Sequence, residues 1–294
     1  MRRIALIAAT LLPTLGIFLV GGGPAKAAGA PPYGLDKWAL IIGIDHFQGK
    51  TRPNVGADGD ARAFHDALVQ KGWPDSHIAV LTDGNATQAG IRNGFKWLAA
   101  ATAQDHGNSF AVVHYSGHVK QTGGHEYLWP SDNQFISDSE FVQAMQQVPG
   151  WLWADLSGCE SQGFDDGLAG PQRLVTTSSR VNEKSYENPS WKQSMFTGLE
   201  ITQAILQNAG DYNHDGHMTV QEAFVYAAQR APSMTQGQDY GPQHPYLAGG
   251  DGTEWFLDPP APAPPPQSPP PKDPGAPQSK PSLLPCNSKV CIRS

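Results

Sequence analysis

A histidine and a cysteine each follow an apolar run of the kind that forms a buried strand. His118 ends the sequence Tyr-Ser-Gly-His, and Cys159 ends the sequence Leu-Ser-Gly-Cys. A thiol beside an imidazole can attack a carbonyl carbon, and the imidazole can then protonate the leaving amine. The glycine before each residue lets the backbone approach a substrate oxyanion. This spacing fits a cysteine peptidase, and it also fits a histidine and a cysteine that only pack in the fold.

A second candidate site is the acidic stretch 211–222, which reads DYNHDGHMTVQE. Alternate oxygen-bearing residues, a glycine at position six and a glutamate at position twelve are the pattern of an EF-hand calcium loop. The predicted Ca²⁺ ligands are Asp211, Asn213, Asp215, the carbonyl of His217, Thr219 and Glu222. The alternative is a polar turn that binds no metal. We expect no organic cofactor.

Apolar runs and helical spacings alternate along the middle of the chain. Strands are predicted at 38–44, 77–81, 109–115, 151–156 and 174–177, and helices at 60–71, 87–101, 138–147 and 200–208. This alternation predicts an α/β fold with a mostly parallel sheet and helices on both faces. Ligand sites in such sheets lie beyond the carboxyl ends of the strands. If the third and fourth strands are neighbours, His118 and Cys159 emerge at the same edge.

Composition and the N-terminal segment narrow the class of protein. The chain has 294 residues, 16% charged and 39% hydrophobic, and its net charge of −7 argues against nucleic-acid binding. Residues 1–27 carry two arginines, an apolar run and the triplet Ala-Lys-Ala, which is typical of a secretory signal peptide. An uncleaved anchor is the alternative. We therefore expect a folded body at 28–258, secreted or held at the cell envelope, without a further membrane span.

The tail at 259–294 differs from the body. Stretch 259–285 contains 13 of the 26 prolines, a composition that favours extended polyproline II. We interpret it as a spacer between the body and a surface such as the cell envelope; a ligand for a proline-binding domain is the alternative. Cys286 and Cys291 could close a small disulfide loop in an oxidising compartment. That pairing would leave Cys159 as an unpaired thiol.

Taken together, several stretches resemble the caspase-like cysteine peptidases, and the metacaspase branch most of all. In order they read WALIIGI, VGADGDARAFHDAL, IAVLTDGNATQAGI, HYSGH and LSGCESQGF, followed by NEKSYE, MFT and PQHP, within about residues 37–250. The resemblance implies a caspase-like three-layer sandwich and a peptide or protein substrate. It also implies that Cys159 is the nucleophile and His118 the general acid/base. The backbone N–H of Cys159, with a second donor near Gly117 and Val119, would bind the oxyanion.

Two departures from the family pattern affect the expected specificity. Val119 replaces the family's glycine after the histidine, and Ser157 replaces an acid two residues before the cysteine. The resemblance assigns Asp60 and Ser116 to a pocket for a substrate Arg or Lys, so one carboxylate remains where the family has two. Asp155 should share a strand face with Ser157. We therefore expect Asp155 to replace part of the missing acid.

The favoured function is a secreted cysteine endopeptidase that acts through a thioester and cleaves after Arg or Lys. The triplet CES at 159–161 is also similar to legumain-type peptidases, which cleave after Asn. Transpeptidation, in which an amine replaces water, is compatible with the same residues. A catalytically inactive, calcium-braced binding module is the remaining alternative, and it is supported by Val119 and Ser157.

Overall fold

The computed structural model describes residues 35–258, and its central sheet is built from the apolar runs predicted above. The described residues all belong to one unit. The predicted signal peptide at 1–27, the Pro-rich tail and the pair Cys286 and Cys291 lie outside the described residues, and these remain predictions.

The strands of the described residues form three sheets. In chain order they are β1 Asp36–Gly43, β2 Ile78–Thr82, β3 Ser109–Ser116, β4 Val119–Thr122, β5 His125–Leu128, β6 Ile136–Ser137, β7 Trp151–Ser157, β8 Arg173–Thr177, β9 Glu187–Asn188, β10 Gln193–Ser194 and β11 Tyr246–Gly249. The central sheet has the order β11-β8-β7-β3-β1-β2. Its strands are parallel except for β11, which runs antiparallel to β8.

Helices cover both faces of this sheet. They are α1 Ala57–Gln70, α2 Gln88–Ala103, α3 Asp138–Gln146, α4 Met195–Thr197, which continues as the π-helical segment Gly198–Leu206, and α5 Val220–Thr235. The first core contains apolar residues of α1, the π-helical segment and α5, together with Trp153 and Trp255. The second core, on the opposite face, contains apolar residues of α2 and α3. This is the predicted three-layer α/β sandwich, and the fold class is confirmed.

The two central strands bring the candidate residues to one edge. Both β3 and β7 are buried along their whole length, as expected for continuous apolar runs in a parallel sheet. They are neighbours, and Ser116 at the end of β3 lies opposite Ser157 at the end of β7. His118 and Cys159 each come two residues later. The condition for a shared edge, that the third and fourth predicted strands are neighbours, is therefore met.

Some elements were not predicted from the sequence. The small sheet β4-β5-β6 is short and largely polar, so it has no long apolar run; its first turn uses Gly123 and Gly124 with positive φ. The helix predicted at 200–208 is π-helical, with the Gln207 N–H donating to the carbonyl of Thr202, five residues earlier. Hydrophobic spacing does not distinguish this wider turn from an α-helix.

No helix within residues 35–258 has the length and apolar character that crossing a membrane would require.

Candidate active site

A pocket of about 670 Å³ lies beyond the carboxyl ends of β3 and β7. Both Cys159 and His118 line it, as do Ser116 and Ser157 at the strand ends. The structure thus brings the thiol and the imidazole to one cavity, at the sheet edge where the sequence predicted a ligand site.

The turn that carries Cys159 is fixed by buried serine hydroxyls. The Gly158 N–H donates to Ser178 Oγ over 2.9 Å, and the Gly158 carbonyl accepts from Ser178 Oγ and Ser179 Oγ, also over 2.9 Å. A Cβ at Gly158 would lie 2.7 Å from Val119 Cγ2 and 2.8 Å from the Gly117 carbonyl oxygen. Position 158 therefore requires glycine. Neither serine was predicted from the sequence, because two serines after a strand give no sign that their hydroxyls bond the backbone of Gly158.

The Cys159 thiol is engaged by a backbone carbonyl. Its Sγ donates to the backbone carbonyl of Ser185 over 3.9 Å. Burial raises the pKa of the Cys159 thiol, the neighbouring Glu160 raises it further, and Lys184 acts in the opposite direction. Lys184 is ion-paired with Glu160, the residue next to Cys159 in the chain. The thiol is therefore neutral in this conformation.

The His118 imidazole is also engaged by a backbone carbonyl. Its Nε2 lies 2.7 Å from the carbonyl oxygen of Arg52, to which it donates. The ring stacks on Phe47, with 4.9 Å between centroids. Among the described residues, the hydrogen bonds of Cys159 Sγ and His118 Nε2 thus go to two loop carbonyls and not to each other. Because Nε2 carries the proton donated to Arg52, Nδ1 is the unprotonated nitrogen of the neutral ring and is the atom that can accept the thiol proton.

The loop that contains Ser185 passes over Cys159. It is anchored by three of the stretches that resemble the caspase-like family. Glu183 accepts from the backbone N–H of His244 over 3.0 Å, and its other oxygen lies 2.9 Å from His244 Nδ1. The Tyr186 N–H donates to Gln243 Oε1, and the Tyr186 carbonyl accepts from the Met195 N–H. The NEKSYE, MFT and PQHP stretches therefore meet around this one loop.

The predicted substrate-binding acid Asp60 lies behind the pocket wall. Its carboxylate accepts from Ser116 Oγ over 2.6 Å and from the Ser194 N–H over 3.0 Å. Ser157 Oγ donates to Ser194 Oγ over 2.8 Å. Burial raises the pKa of Asp60 to about 8, against the opposing effect of the bonds from Ser116 and Ser194. Asp60 therefore borders the pocket through two serines and not directly.

Glu187 is the carboxylate that lines the pocket itself. Its Oε1 accepts from the Val55 N–H over 2.8 Å, and burial raises the pKa of Glu187. The family-like stretch NEKSYE contains Glu187, but the sequence predicts no role for this residue. An acid in a loop far from the catalytic motifs gives no signal of its position in the fold.

The expectation for Asp155 is wrong. Its Oδ2 lies 2.6 Å from His114 Nδ1 and its Oδ1 accepts from Thr176 Oγ1 over 2.6 Å, all within the core. Asp155 is fully buried and is not among the residues that line the pocket. It shares a strand face with Ser157 but lies two residues deeper, which is about 7 Å along a strand. A shared strand face therefore does not bring Asp155 to the pocket.

The predicted oxyanion donors differ in availability. The Gly117 N–H donates to the Ser157 carbonyl over 3.1 Å, so the expectation that Gly117 binds the oxyanion is wrong. Val119 begins β4 opposite Leu128, and its side chain packs on Gly158. The Cys159 N–H donates no hydrogen bond to any residue in the part of the chain that the structure describes. The Trp129 N–H donates to the His118 carbonyl, so the next pair, Val119 and Leu128, is a non-hydrogen-bonded pair whose N–H groups point away from each other. The Cys159 N–H and the Val119 N–H are therefore both candidate donors to a substrate oxygen.

The predicted calcium residues lie outside this pocket. They occupy the loop between the π-helical segment and α5, except for Glu222, which lies in the first turn of α5. Within residues 35–258, no three Asp, Glu, His or Cys side chains converge into a formed metal cage.

Comparisons with known proteins give a consistent result. The family model of the caspase domain matches residues 36–247. Among curated proteins, Arabidopsis thaliana metacaspase-7 is 30% identical over 178 residues, which cover 56% of this chain and 42% of that protein. Metacaspase-4 of the same plant is 31% identical over 147 residues, covering 45% and 35% respectively. The chain thus spans less than half the length of these relatives.

Solved structures show the same fold at low identity. Caspase-1 from Spodoptera frugiperda has a TM-score of 0.58 at 13% identity, covering 76% of this chain and 90% of that one. Protein GSU0716 from Geobacter sulfurreducens has a TM-score of 0.55 at 14% identity, covering 73% and 94%.

Proposed function

The chain belongs to the caspase-domain family, and from that premise we propose that it is a cysteine endopeptidase that cleaves peptide bonds after Arg or Lys. The observation that carries the proposal is the shared pocket. It holds the Cys159 thiol, the His118 imidazole and the Glu187 carboxylate, with Asp60 behind its wall.

The chemistry follows from these groups. Once the thiol leaves the Ser185 carbonyl, His118 Nδ1 takes the proton from Cys159 Sγ as the sulfur attacks the scissile carbonyl carbon, while the Arg52 carbonyl keeps the proton on Nε2. The carbonyl oxygen becomes an oxyanion and accepts from the Cys159 N–H. The imidazolium then protonates the amine nitrogen as the C–N bond breaks, which leaves a thioester. His118 next takes a proton from the water that attacks the thioester carbon. The C–S bond then breaks to release the carboxylic acid, and the imidazolium returns its proton to the sulfur, which regenerates the thiol.

Basic specificity is supported by two carboxyls at one end of the pocket. Glu187 lines the cavity directly, and Asp60 lies one hydroxyl away behind Ser116. A guanidinium or ammonium entering there would meet an acid that the fold has already removed from water. Hydrogen bonds between oppositely charged groups are stronger than those between neutral groups. An Asn side chain would leave both acids unmatched, so Asn specificity of the legumain type is disfavoured.

We also propose that the enzyme is exported. The support is the sequence of residues 1–27, with an apolar run followed by Ala-Lys-Ala. N-terminal sequencing of the protein recovered outside expressing cells should begin at Ala28. An N-terminus that retains the apolar run would point to the anchored alternative.

A peptide library tests the peptidase directly. We expect the full chain to cleave after Arg or Lys and the Cys159→Ala variant to cleave nothing. Cleavage after Asn that is lost in the same variant would retain the nucleophile and overturn the specificity. Joining of peptides when an amine is added would indicate transpeptidation. A folded chain with no cleavage under any condition would favour the inactive binding module.

A further inference from the structure

We propose that the loop 211–222 binds one Ca²⁺ ion, and that binding draws the Glu222 carboxylate away from its helix cap to close the metal site. This loop lies outside the catalytic pocket, and the proposal is independent of the peptidase activity.

The backbone of the loop already has the turn that such a site needs. It connects the π-helical segment Gly198–Leu206 to α5, so helices flank it on both sides. Gly216, at position six, has φ of +82°, which is the left-handed conformation that glycine adopts without strain. The sixth position of an EF-hand loop is glycine for this reason.

A buried oxygen without a partner points to a missing cation. Asp211, at position one, is only 8% exposed. Its Oδ2 accepts from the Gly216 N–H over 3.2 Å and from Asn208 Nδ2 over 3.5 Å, so the carboxylate faces into the loop. Its Oδ1 is buried and has no hydrogen-bond partner. An unpaired buried carboxylate oxygen is costly, and a bound cation removes that cost.

The intermediate ligand positions are accessible. Asn213 and Asp215 are exposed, and their bonds are to neighbouring loop groups: the Asp215 N–H donates to Asn213 Oδ1, and the His217 N–H donates to Asp215 Oδ1. Among the described residues, the His217 carbonyl accepts no hydrogen bond. Side-chain oxygens at positions one, three and five, with a carbonyl at seven, are the hard donors that Ca²⁺ prefers.

Glu222 is the ligand that must move. Its Oε2 accepts from the Thr219 N–H over 3.0 Å and from Thr219 Oγ1 over 2.9 Å, which completes a capping box at the start of α5. Turning the carboxylate toward the loop gives up these two bonds. The reciprocal bond, from the Glu222 N–H to Thr219 Oγ1 over 3.1 Å, does not use the carboxylate and would still cap the helix. This explains why no formed metal cage is present among residues 35–258.

The loop is tied to the core, so the expected consequence of binding is stability. The Met218 carbonyl accepts from the Leu257 N–H, and the Val220 N–H donates to the Trp255 carbonyl. The side chains of Met218, Trp255 and Leu257 are buried in the first core. A cation that holds the loop therefore braces the pairing between α5 and the segment 255–257.

The test uses the full chain carrying Cys159→Ala, so that self-digestion and peptidase activity play no part. After chelator treatment, calorimetric titration with CaCl₂ should show one site per chain, with a Kd of about 10⁻⁴ to 10⁻³ M, and MgCl₂ should bind more weakly. Saturating Ca²⁺ should raise the Tm. Glu222→Gln keeps a side-chain acceptor for the cap but lacks the bidentate carboxylate, so it should weaken Ca²⁺ binding at least about tenfold. The matched control Asp66→Asn removes an exposed acid on α1 and should bind Ca²⁺ as the parent does.

Several outcomes would overturn the proposal. A folded parent that gives neither heat nor a Tm shift up to about 10 mM Ca²⁺ has no such site. Equal affinity in the parent and in Glu222→Gln would show that Glu222 is not a ligand. If Glu222→Gln does not fold, Asp215→Ala, at an exposed position, takes its place and should lose binding in the same way.

Discussion

The sulfur of Cys159 lies 3.9 Å from the backbone carbonyl oxygen of Ser185, to which the thiol donates. A loop carbonyl therefore engages the Cys159 thiol, just as the Arg52 carbonyl engages His118 Nε2. The bond from Cys159 occupies the thiol proton, whereas the bond from His118 Nε2 leaves Nδ1 as the unprotonated ring nitrogen. This arrangement has consequences for thiol reactivity, for pH dependence and for specificity.

The first prediction concerns the reactivity of Cys159. Because burial raises the pKa of the thiol, its thiolate fraction at pH 7.5 is below that of an ordinary cysteine. Iodoacetamide should therefore label Cys159 several-fold more slowly than a cysteine peptide, and the rate should still rise above pH 9. Mass spectrometry of tryptic peptides over a pH series measures this.

Loosening the loop should increase that rate. Glu183→Ala removes the acceptor of both His244 bonds and should accelerate labelling several-fold, because the Ser185 carbonyl is no longer held in place. Arg180→Ala lies in the same loop, where Arg180 contributes its backbone N–H to Glu183, and should leave the rate unchanged. Fast labelling of the unmodified chain at neutral pH would mean that the loop is off the thiol in solution.

The second prediction concerns Asp60 and pH. With a pKa of about 8, Asp60 is mostly neutral at pH 6.5 and mostly ionised at pH 8.5. The ratio of kcat/KM for a peptide with Arg before the scissile bond to that for its neutral citrulline analogue should therefore rise about tenfold over this range. The ratio cancels changes in the ionisation of Cys159 and His118. In Asp60→Asn this ratio of kcat/KM values should be lower and independent of pH. A ratio that still depends on pH in that variant would assign the titration to another group.

The third prediction separates the two acids that were considered for the pocket. Glu187→Gln should lower kcat/KM for the Arg peptide about ten- to a hundredfold, because a charge-assisted bond is replaced by a neutral one. The citrulline peptide should change by no more than about twofold. Asp155→Asn, in the core, should destabilise the fold yet leave the ratio of the two substrates unchanged. An altered ratio in Asp155→Asn would restore the role that its burial argues against.

Much of the site could be predicted because its residues come at strand ends. The apolar runs of β3 and β7 and the parallel topology place His118 and Cys159 together without any tertiary information. The backbone partner of Asp60 could not be predicted in this way. Ser194 donates its backbone N–H to Asp60 across 134 positions of sequence, and a backbone donor has no signature in the residue types. The same applies to the Arg52 and Ser185 carbonyls, since every residue carries one.

The fourth prediction concerns the buried acid Glu200, which packs beside Asp155 in the first core. Burial, followed by the nearby charge of Asp155, raises the pKa of Glu200 well above its ordinary value. The folded state therefore keeps this carboxyl protonated at a pH where the unfolded chain has ionised it. For a group whose pKa is raised on folding, its contribution to stability is complete below the unfolded pKa and declines as pH rises. The Tm should thus fall between pH 5 and pH 8.

Glu200→Gln tests this sign. The amide cannot ionise, so the variant should lose the part of the pH dependence that Glu200 contributes and should exceed the parent in Tm by a few degrees at pH 8. At pH 5 the two chains should be closer in Tm. Thermal melts across the pH series measure both effects, and Glu254→Gln, at an exposed position, is the matched control that should follow the parent. A parent whose Tm is flat from pH 5 to pH 8, or a Glu200→Gln variant with the parent's slope, would contradict the assignment.

The fifth prediction concerns the contact between Gly158 and Val119. A methyl group at position 158 would lie 2.7 Å from Val119 Cγ2 and 2.8 Å from the Gly117 carbonyl oxygen, closer than real contacts allow. Gly158→Ala should therefore displace the turn that holds Cys159, lower stability by about 1–3 kcal/mol and reduce kcat at least about a hundredfold. Gly170→Ala, where an added Cβ meets nothing within 4 Å, is the control and should retain both. Adding Val119→Gly to Gly158→Ala should recover only part of the activity, because the clash with the Gly117 carbonyl remains; full recovery would show that Val119 alone makes glycine necessary.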